Sequence, residues 1–387
     1  MLDFTYYSPI KLYFGKGEEL NAGKYVREYG GSRVLLHYGG GSVVRSGLLG
    51  LVREKLEAEG MAVFELGGAQ PNPRVELCRE GIALCREKGI DFIIALGGGS
   101  SMDSAKLIAL GACFDGDPWD IVTGAHRPEA ALPVATIPTL AATGSENNGI
   151  FVITNGDKKL GQSSPLAAPK FSILNPELTC TVSPWYTAAG AVDMITHIIG
   201  SYLNDDWTNE LMQKIVTGAI KTVIKYAPKA LENPEDYEAR AQLMWISSLC
   251  CCPTLTVGLP GDGTTHIIEG VVDGIYDKTH GATLSVVLLG WMKYIMDACI
   301  PRFAEMAVRL FDVEYDHENP RLTALEGIRR FEQWIAAIGM PTRFSQLGID
   351  DARFDEIAAR IYAQAGVYGN MVKLGEKETR EILALCK

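Results

Sequence analysis

Ile93-Ile94-Ala95-Leu96-Gly97-Gly98-Gly99-Ser100-Ser101-Met102-Asp103-Ser104-Ala105-Lys106 runs from a continuous apolar stretch, through three glycines, into a segment with helical character. A short, uninterrupted apolar run bounded by glycine suits a strand buried on both faces, as in a parallel sheet. Glycines let the backbone approach a bulky anion, and the free N–H groups of a helix start, with their partial positive charge, can hold a pyrophosphate. The spacing is not the GxGxxG fingerprint, because Met102 stands at its third position, and it is not a Walker A loop, which needs Gly-Lys-Ser/Thr. The alternative is a tight strand-to-helix turn capped by Ser100 or Ser101. Three consecutive glycines cost conformational entropy that a turn alone does not require, which favours phosphate contact.

Outward from this stretch the first half alternates short strands with helices. Strands are expected at 33–38, 62–66, 92–96, 134–137 and 170–174, after an extended opening at 6–14, with helices at 43–59, 74–88 and 101–110. This alternation indicates βαβ units and a parallel sheet. Residues 149–154, turning at Asn155-Gly156-Asp157, read as the first arm of a hairpin attached to that sheet. Beyond Asn175-Pro176 strand signals almost vanish, and helical periodicities take over at 188–203, 210–226, 237–251 and 322–338. The expected architecture is an α/β nucleotide-binding domain with a Rossmann-like parallel sheet over 1–182, followed by an all-α metal-binding domain over 183–387.

Composition narrows the function classes. The 387 residues are 47% hydrophobic and 21% charged, as in an ordinary globular protein. A net charge of −11, with 36 basic against 47 acidic residues and no basic block, argues against nucleic acid as a partner. Met1-Leu2-Asp3-Phe4 does not begin a secretory signal. The longest apolar run, 284–300, is interrupted by Lys293 and Asp297 and reads as a buried helix, so no membrane association is expected. None of the nine cysteines forms a CxxC pair, which points to reduced thiols and a cytoplasmic protein. Packing is the expected role of the triplet Cys250-Cys251-Cys252.

A second glycine cluster, Gly39-Gly40-Gly41-Ser42, follows the strand ending at Tyr38. A carboxylate at the adenosine ribose would repel the 2′-phosphate of NADP. This loop is neutral and Arg45 lies just beyond it, so it should tolerate NADP, unless it is an ordinary flexible loop.

In the second half, Thr187-Ala-Ala-Gly-Ala-Val-Asp193-Met-Ile-Thr-His197 sets a carboxylate and an imidazole on one helical face. Such a pair alone is more often a simple hydrogen bond. The chain has only six histidines, however, and His266 and His280 fall in the same apolar half. One Asp with three His makes a mixed oxygen and nitrogen set suited to Fe2+ or Zn2+, leaving a fifth position for a substrate oxygen.

Together these residues resemble the iron-containing, group III alcohol dehydrogenases. The resemblance rests on Gly97-Gly98-Gly99-Ser100-x-x-Asp103-x-Ala105-Lys106, Pro71-Asn72-Pro73, Thr139-x-x-x-Thr143-Gly144-Ser145-Glu146, Ala188-Ala189-Gly190-x-x-Asp193-x-x-x-His197, and His266 with Tyr276-Asp277-x-x-His280-Gly281. Within the family the chain is most similar to the NADPH-dependent butanol dehydrogenase and aldehyde reductase branch. The resemblance implies a doubly wound nucleotide-binding domain, a helical metal domain and an active site in the cleft between them. It implies metal ligation by Asp193, His197, His266 and His280. It implies cofactor contacts at Gly39, Gly40 and Ser42 for the adenosine end, and at Asn72, Gly98, Gly99, Ser100 and Asp103 along the dinucleotide. Thr139, Thr143 and Lys159 would lie nearer the nicotinamide, although Lys159 also reads as a solvated hairpin charge.

The implied activity is that of an NAD(P)-dependent alcohol dehydrogenase and aldehyde reductase, with NADP(H) preferred, one Fe2+ or Zn2+, and a homodimeric assembly. Hydride passes between nicotinamide C4 and the carbinol carbon of a primary alcohol or the carbonyl carbon of an aldehyde, with the metal as Lewis acid. One departure is Gly270, where much of the family has a second histidine four residues after the third ligand, thought to help move a proton. Alternatives are a glycerol dehydrogenase-like polyol oxidoreductase, a dehydroquinate synthase-type lyase on the same two-domain plan, and a catalytically impaired homologue that retains only cofactor binding. The Tyr276-Asp277-x-x-His280-Gly281 context favours the alcohol dehydrogenase branch.

Overall fold

The computed structural model describes residues 1–204 and 207–387. Its first part runs β1 (Lys11–Phe14), α1 (Ala22–Glu28), β2 (Arg33–Gly39), α2 (Ser42–Arg45), α3 (Leu48–Ala58), β3 (Ala62–Ala69), α4 (Val75–Lys88), β4 (Phe92–Gly97), α5 (Gly99–Ala112), α6 (Pro118–Val122), β5 (Val134–Pro138), β6 (Ile150–Asn155), β7 (Lys158–Ser163) and β8 (Phe171–Leu174). Six of these strands form one sheet in the order β1-β8-β5-β4-β2-β3, every neighbouring pair parallel.

Every residue of β4 is buried because both faces of the sheet are covered. Alternate residues point to opposite sides. Leu35, Ile93 and Ala95 pack with Cys78, Ile82, Met102 and Ala105 of α4 and α5. Val34, Leu36, Phe92, Ile94 and Leu96 pack with Ala22, Val26, Leu49, Val52 and Leu56 of α1 and α3. At about 25 cal/mol per Å² of apolar surface, this two-sided burial is the main stabilising term. The chain leaves β2 outward to β3 and returns across β2 to β4, from which it continues to β5 on the other side, so the connections after β2 and β4 run in opposite directions along the sheet. Open α/β sheets bind ligands at such a switch point.

Several boundaries differ from the sequence reading. The helix expected over 43–59 breaks into α2 and α3, because Gly47 takes a left-handed conformation (φ 80°) that an uninterrupted helix cannot contain. α5 starts inside the glycines with Gly98 at its cap position, and neither Ser100 nor Ser101 caps it. β6 and β7 pair in their own antiparallel two-stranded sheet instead of joining the main one.

The remaining helices are α7 (Pro184–Tyr202), α8 (Glu210–Glu232), α9 (Tyr237–Cys250), α10 (Thr264–Tyr276), α11 (His280–Ile295), α12 (Ile300–Phe311), α13 (Pro320–Ala337), α14 (Phe354–Ala365) and α15 (Glu376–Leu385). Residues 7–182 with 235–251 form one compact unit, and residues 1–6, 183–234 and 252–387 form the other. α9, expected in the C-terminal part, thus packs in the sheet-containing unit. Polar contacts hold it there: Ser247 Oγ accepts from Ala142 N at 2.8 Å, and Asn147 Nδ2 donates to Ser248 O at 2.7 Å. Most of the long apolar run is α11, buried from Gly281 to Met292. Among the described residues no helix is long and apolar enough to cross a membrane.

Candidate metal centre and nucleotide loops

α7 begins at Ser183, whose Oγ accepts from Tyr186 N, with Pro184 in the first turn where its missing N–H costs nothing. Three turns along, Asp193 is 2% exposed and His197 follows one turn later. α10 begins beside Asp262, whose Oδ1 accepts from Thr264 N at 2.9 Å. Its Oδ2 accepts from Asn370 N at 2.8 Å, fixing the approach of the helix that carries His266. α11 delivers His280 at its first residue. A Cβ on Gly281 would lie 2.1 Å from the Ala189 carbonyl oxygen, so only glycine lets α11 start this close to α7, one turn before Asp193.

The three imidazoles surround one oxygen. Asp193 Oδ1 lies 3.3 Å from His197 Nδ1, 3.6 Å from His266 Nε2 and 3.4 Å from His280 Nε2. It is buried and has no hydrogen-bond partner, and neither has the buried His266 Nε2. Ligands about 2.1 Å from a tetrahedral metal stand roughly 3.4 Å apart, close to the distances of the three nitrogens from Asp193 Oδ1. Donor atoms of Asp193, His266 and His280 all lie within 4.8 Å of one another, a group that does not include His197. Two orphaned polar atoms facing one another are costly unless something between them satisfies both. A divalent cation fits this donor set.

Charge and burial together set the protonation of these donors. Burial alone would raise the Asp193 carboxyl, but His197 and His280, with His266, outweigh it and hold it well below the usual carboxylate range. Burial pushes the His266 imidazole down to about 4, so near neutral pH it is an uncharged lone-pair donor.

Two carboxylates on α10 had no role in the sequence reading. Glu269 is 1% exposed and its Oε1 stands 2.6 Å from His280 Nδ1. Asp273 Oδ1 accepts from Lys278 N at 3.0 Å and from Thr283 Oγ1 at 3.4 Å, shaping the turn that leads to His280. The available signal was their place at i+3 and i+7 from His266 on an otherwise apolar helix. Gly270 lies one turn after His266, and an added Cβ there would meet nothing within 4 Å.

In the sheet-containing unit the glycine loops converge at the strand ends. A Cβ on Gly97 would lie 2.7 Å from Ser101 Oγ, and one on Gly39 would lie 3.6 Å from the same atom, so the loops after β2 and β4 share that hydroxyl. A Cβ on Gly99 would lie 2.7 Å from Thr143 Cγ2, which brings in the loop after β5. Thr139 N donates to Gly97 O at 3.0 Å. Gly40 has open space about it, and Ser42 starts α2. Gly98 and Ser100 flank the start of α5. Asn72 adopts a left-handed conformation (φ 55°) in the turn between β3 and α4. Lys159 sits on β7, opposite Thr154.

Asp103, expected along the dinucleotide, also makes contacts within the protein. Its Oδ1 accepts from Ser145 Oγ at 2.6 Å and its Oδ2 from Val152 N at 2.9 Å, tying the loop after β5 and strand β6 to α5. Lys106, which had no assigned role, is fully buried and donates to Ser145 O at 2.7 Å and Ile150 O at 2.7 Å. Burial lowers its ammonium to about 8.

Two family models cover almost the whole chain: iron-containing alcohol dehydrogenase over residues 9–176, and the C-terminal part of the Fe-containing alcohol dehydrogenase family over 187–386. The chain belongs to the iron-containing alcohol dehydrogenase family. Like its relatives, this family member is an oxidoreductase. It is 41% identical over 385 residues to the probable NADH-dependent butanol dehydrogenase 1 of Bacillus subtilis, covering 99% of each chain. It is 32% identical to the NADPH-dependent aldehyde reductase of Escherichia coli K12, covering 97% of this chain and 96% of that one. The crystal structure of NADH-dependent butanol dehydrogenase A from Thermotoga maritima matches with a TM-score of 0.96 at 34% identity, covering 100% of this chain and 99% of that one. The polyol oxidoreductase alternative is not better supported by these relatives.

Proposed function

We propose that this family member interconverts aldehydes and primary alcohols with a nicotinamide cofactor, and that Asp193, His197, His266 and His280 hold one divalent metal, Fe2+ or Zn2+. The observation that carries this reading is the orphaned Asp193 Oδ1 among three imidazole nitrogens at 3.3, 3.4 and 3.6 Å. Such a metal supplies Lewis acidity toward an alcohol or carbonyl oxygen. The protein holds the ligands rigid on buried helices, keeps Asp193 ionised and keeps His266 neutral. In the reducing direction a hydride and its electron pair leave nicotinamide C4 for the carbonyl carbon, and one proton from solvent completes the hydroxyl. With glycine at position 270, water in the space beside α10 is the proposed proton source.

Gly39, Gly40 and Ser42 are the proposed adenosine contacts, Asn72, Gly98, Gly99, Ser100 and Asp103 the contacts along the dinucleotide, and Thr139, Thr143 and Lys159 the nicotinamide-side contacts. Asp103 also positions the loop that carries Thr143. NADP(H) is the proposed preference, supported by the neutral loop and by Arg45, whose Nη1 lies 3.3 Å from the Cβ position of Gly41. The relatives' names include both NADH and NADPH dependence, so the two cofactors are to be compared directly. A homodimer and a cytoplasmic location accompany the reading, the latter supported by nine cysteines that all stand as thiols.

The test is metal analysis of the purified protein coupled to NADPH and NADH oxidation across aldehydes of increasing chain length. Metal-dependent, aldehyde-dependent oxidation is the expected result. Cofactor binding without turnover would favour the impaired homologue instead.

A further inference from the structure

We propose that Glu269 is a positioning residue for His280, fixing its tautomer and ring orientation and thereby setting how tightly the site holds its metal. This rests on the metal reading above. Glu269 Oε1 stands 2.6 Å from His280 Nδ1, and on the far side of the ring Nε2 stands 3.4 Å from Asp193 Oδ1. A carboxylate only accepts, so the short contact requires the imidazole proton on Nδ1. The lone pair of the neutral ring is then on Nε2, directed into the cluster around Asp193. Imidazole ligands are commonly oriented in this way by an outer carboxylate, which also raises their basicity.

Burial makes the arrangement specific. A carboxylate that is 1% exposed is costly unless charge and hydrogen bonds compensate it. The imidazole N–H supplies one compensation, and a cation held by His280 would supply a second. Asp273, one turn further along α10, lies within 4.8 Å of the Glu269 and His280 donor atoms, and its Oδ1 takes a backbone N–H and a hydroxyl at the turn. Glu269 makes the short contact to the ring of His280. Because it shares α10 with His266, one helix fixes two of the four donors.

The experiment measures metal affinity by chelator competition with Zn2+, and the visible spectrum of the Co2+-loaded protein, for wild type, Glu269→Gln and Glu269→Leu. Glu269→Leu should weaken Zn2+ binding by about 10–100-fold. Glu269→Gln, which retains an acceptor oxygen but not the charge, should lose less and shift the Co2+ bands. The KM for the dinucleotide should not move in either. If Glu269→Leu fails to fold, Glu269→Gln decides alone. Wild-type affinity and an unshifted Co2+ spectrum in the variants would overturn the role of Glu269 while leaving the metal centre intact. Absence of Zn2+ and Co2+ binding by the wild type would overturn both.

Discussion

Gly281 and Ala189 approach so closely that no side chain fits between them: a Cβ on Gly281 would lie 2.1 Å from the Ala189 carbonyl oxygen and 2.6 Å from its carbon. Backbone cannot yield as a flexible side chain can. Gly281→Ala should therefore push the first turn of α11 away from α7, taking His280 from Asp193. Overpacking of this kind costs about 1–3 kcal/mol. The expected outcome is a lowered unfolding midpoint together with reduced metal content, measured by thermal denaturation and elemental analysis.

The orphaned pair at the centre of the cluster gives a second prediction. His266→Ala removes one of four donors and none of the residues proposed for the dinucleotide. Metal-dependent turnover should be abolished while NADPH binding, followed by fluorescence titration, is largely retained. Near-normal activity in a metal-free preparation of that variant would sink the ligand assignment.

Gly270 offers the space to restore a missing imidazole. It is a helical residue one turn after His266, and an added Cβ meets nothing within 4 Å, so Gly270→His should fold normally. It places a group with an ordinary pKa near 6.5 beside the metal cluster. The pH dependence of kcat for aldehyde reduction should acquire a new inflection in the neutral range. An unchanged profile would show that this chain needs no imidazole relay.

Gly99 links the glycine loop to the loop after β5. A Cβ there would lie 2.7 Å from Thr143 Cγ2 and 3.0 Å from its Oγ1, so Gly99→Ala should displace Thr143. Initial-rate kinetics should show a dinucleotide KM raised about tenfold, equivalent to about 1.4 kcal/mol, with a smaller change in the aldehyde KM. Adding Thr143→Ser, which deletes the offending methyl, should recover part of the loss.

The strand–glycine–helix order, the parallel sheet and the Asp193–His197 pairing were legible because each is local: periodicity, glycine placement and helical spacing are written within short windows. The helix break at Gly47 was not, since a left-handed glycine leaves no mark on hydrophobic spacing. The partnership of α9 with the sheet-containing unit depends on Ser247 and Ser248 meeting a loop a hundred residues earlier, which no window contains. Asp103 shows the limit for sites. Its place in a recognisable motif suggested a cofactor contact, while the hydrogen bonds of its oxygens with Ser145 and Val152 appear only in the folded chain. Glu269 was visible as a residue, and its relation to His280 was not.

His37, on β2 beneath the glycine loops, provides a prediction about stability and pH. Its side chain is fully buried, Nδ1 lies 2.9 Å from Leu66 O and Nε2 lies 2.6 Å from Ser104 Oγ. A carbonyl can only accept, so Nδ1 carries the proton, while the Ser104 hydroxyl beside Nε2 also lies 2.7 Å from Ser100 O. Burial pushes the imidazole down from 6.5 to about 4. Between those values the unfolded chain binds a proton that the folded chain refuses, so stability rises with pH across this window. The contribution is fully present above 6.5 and is lost as pH falls toward 4, amounting to about 3 kcal/mol at 1.36 kcal/mol per pKa unit. Urea unfolding at a series of pH values should show wild type losing this much more stability between pH 7 and pH 4 than His37→Gln, which cannot titrate. Parallel curves for the two proteins would mean that His37 is not the group responsible.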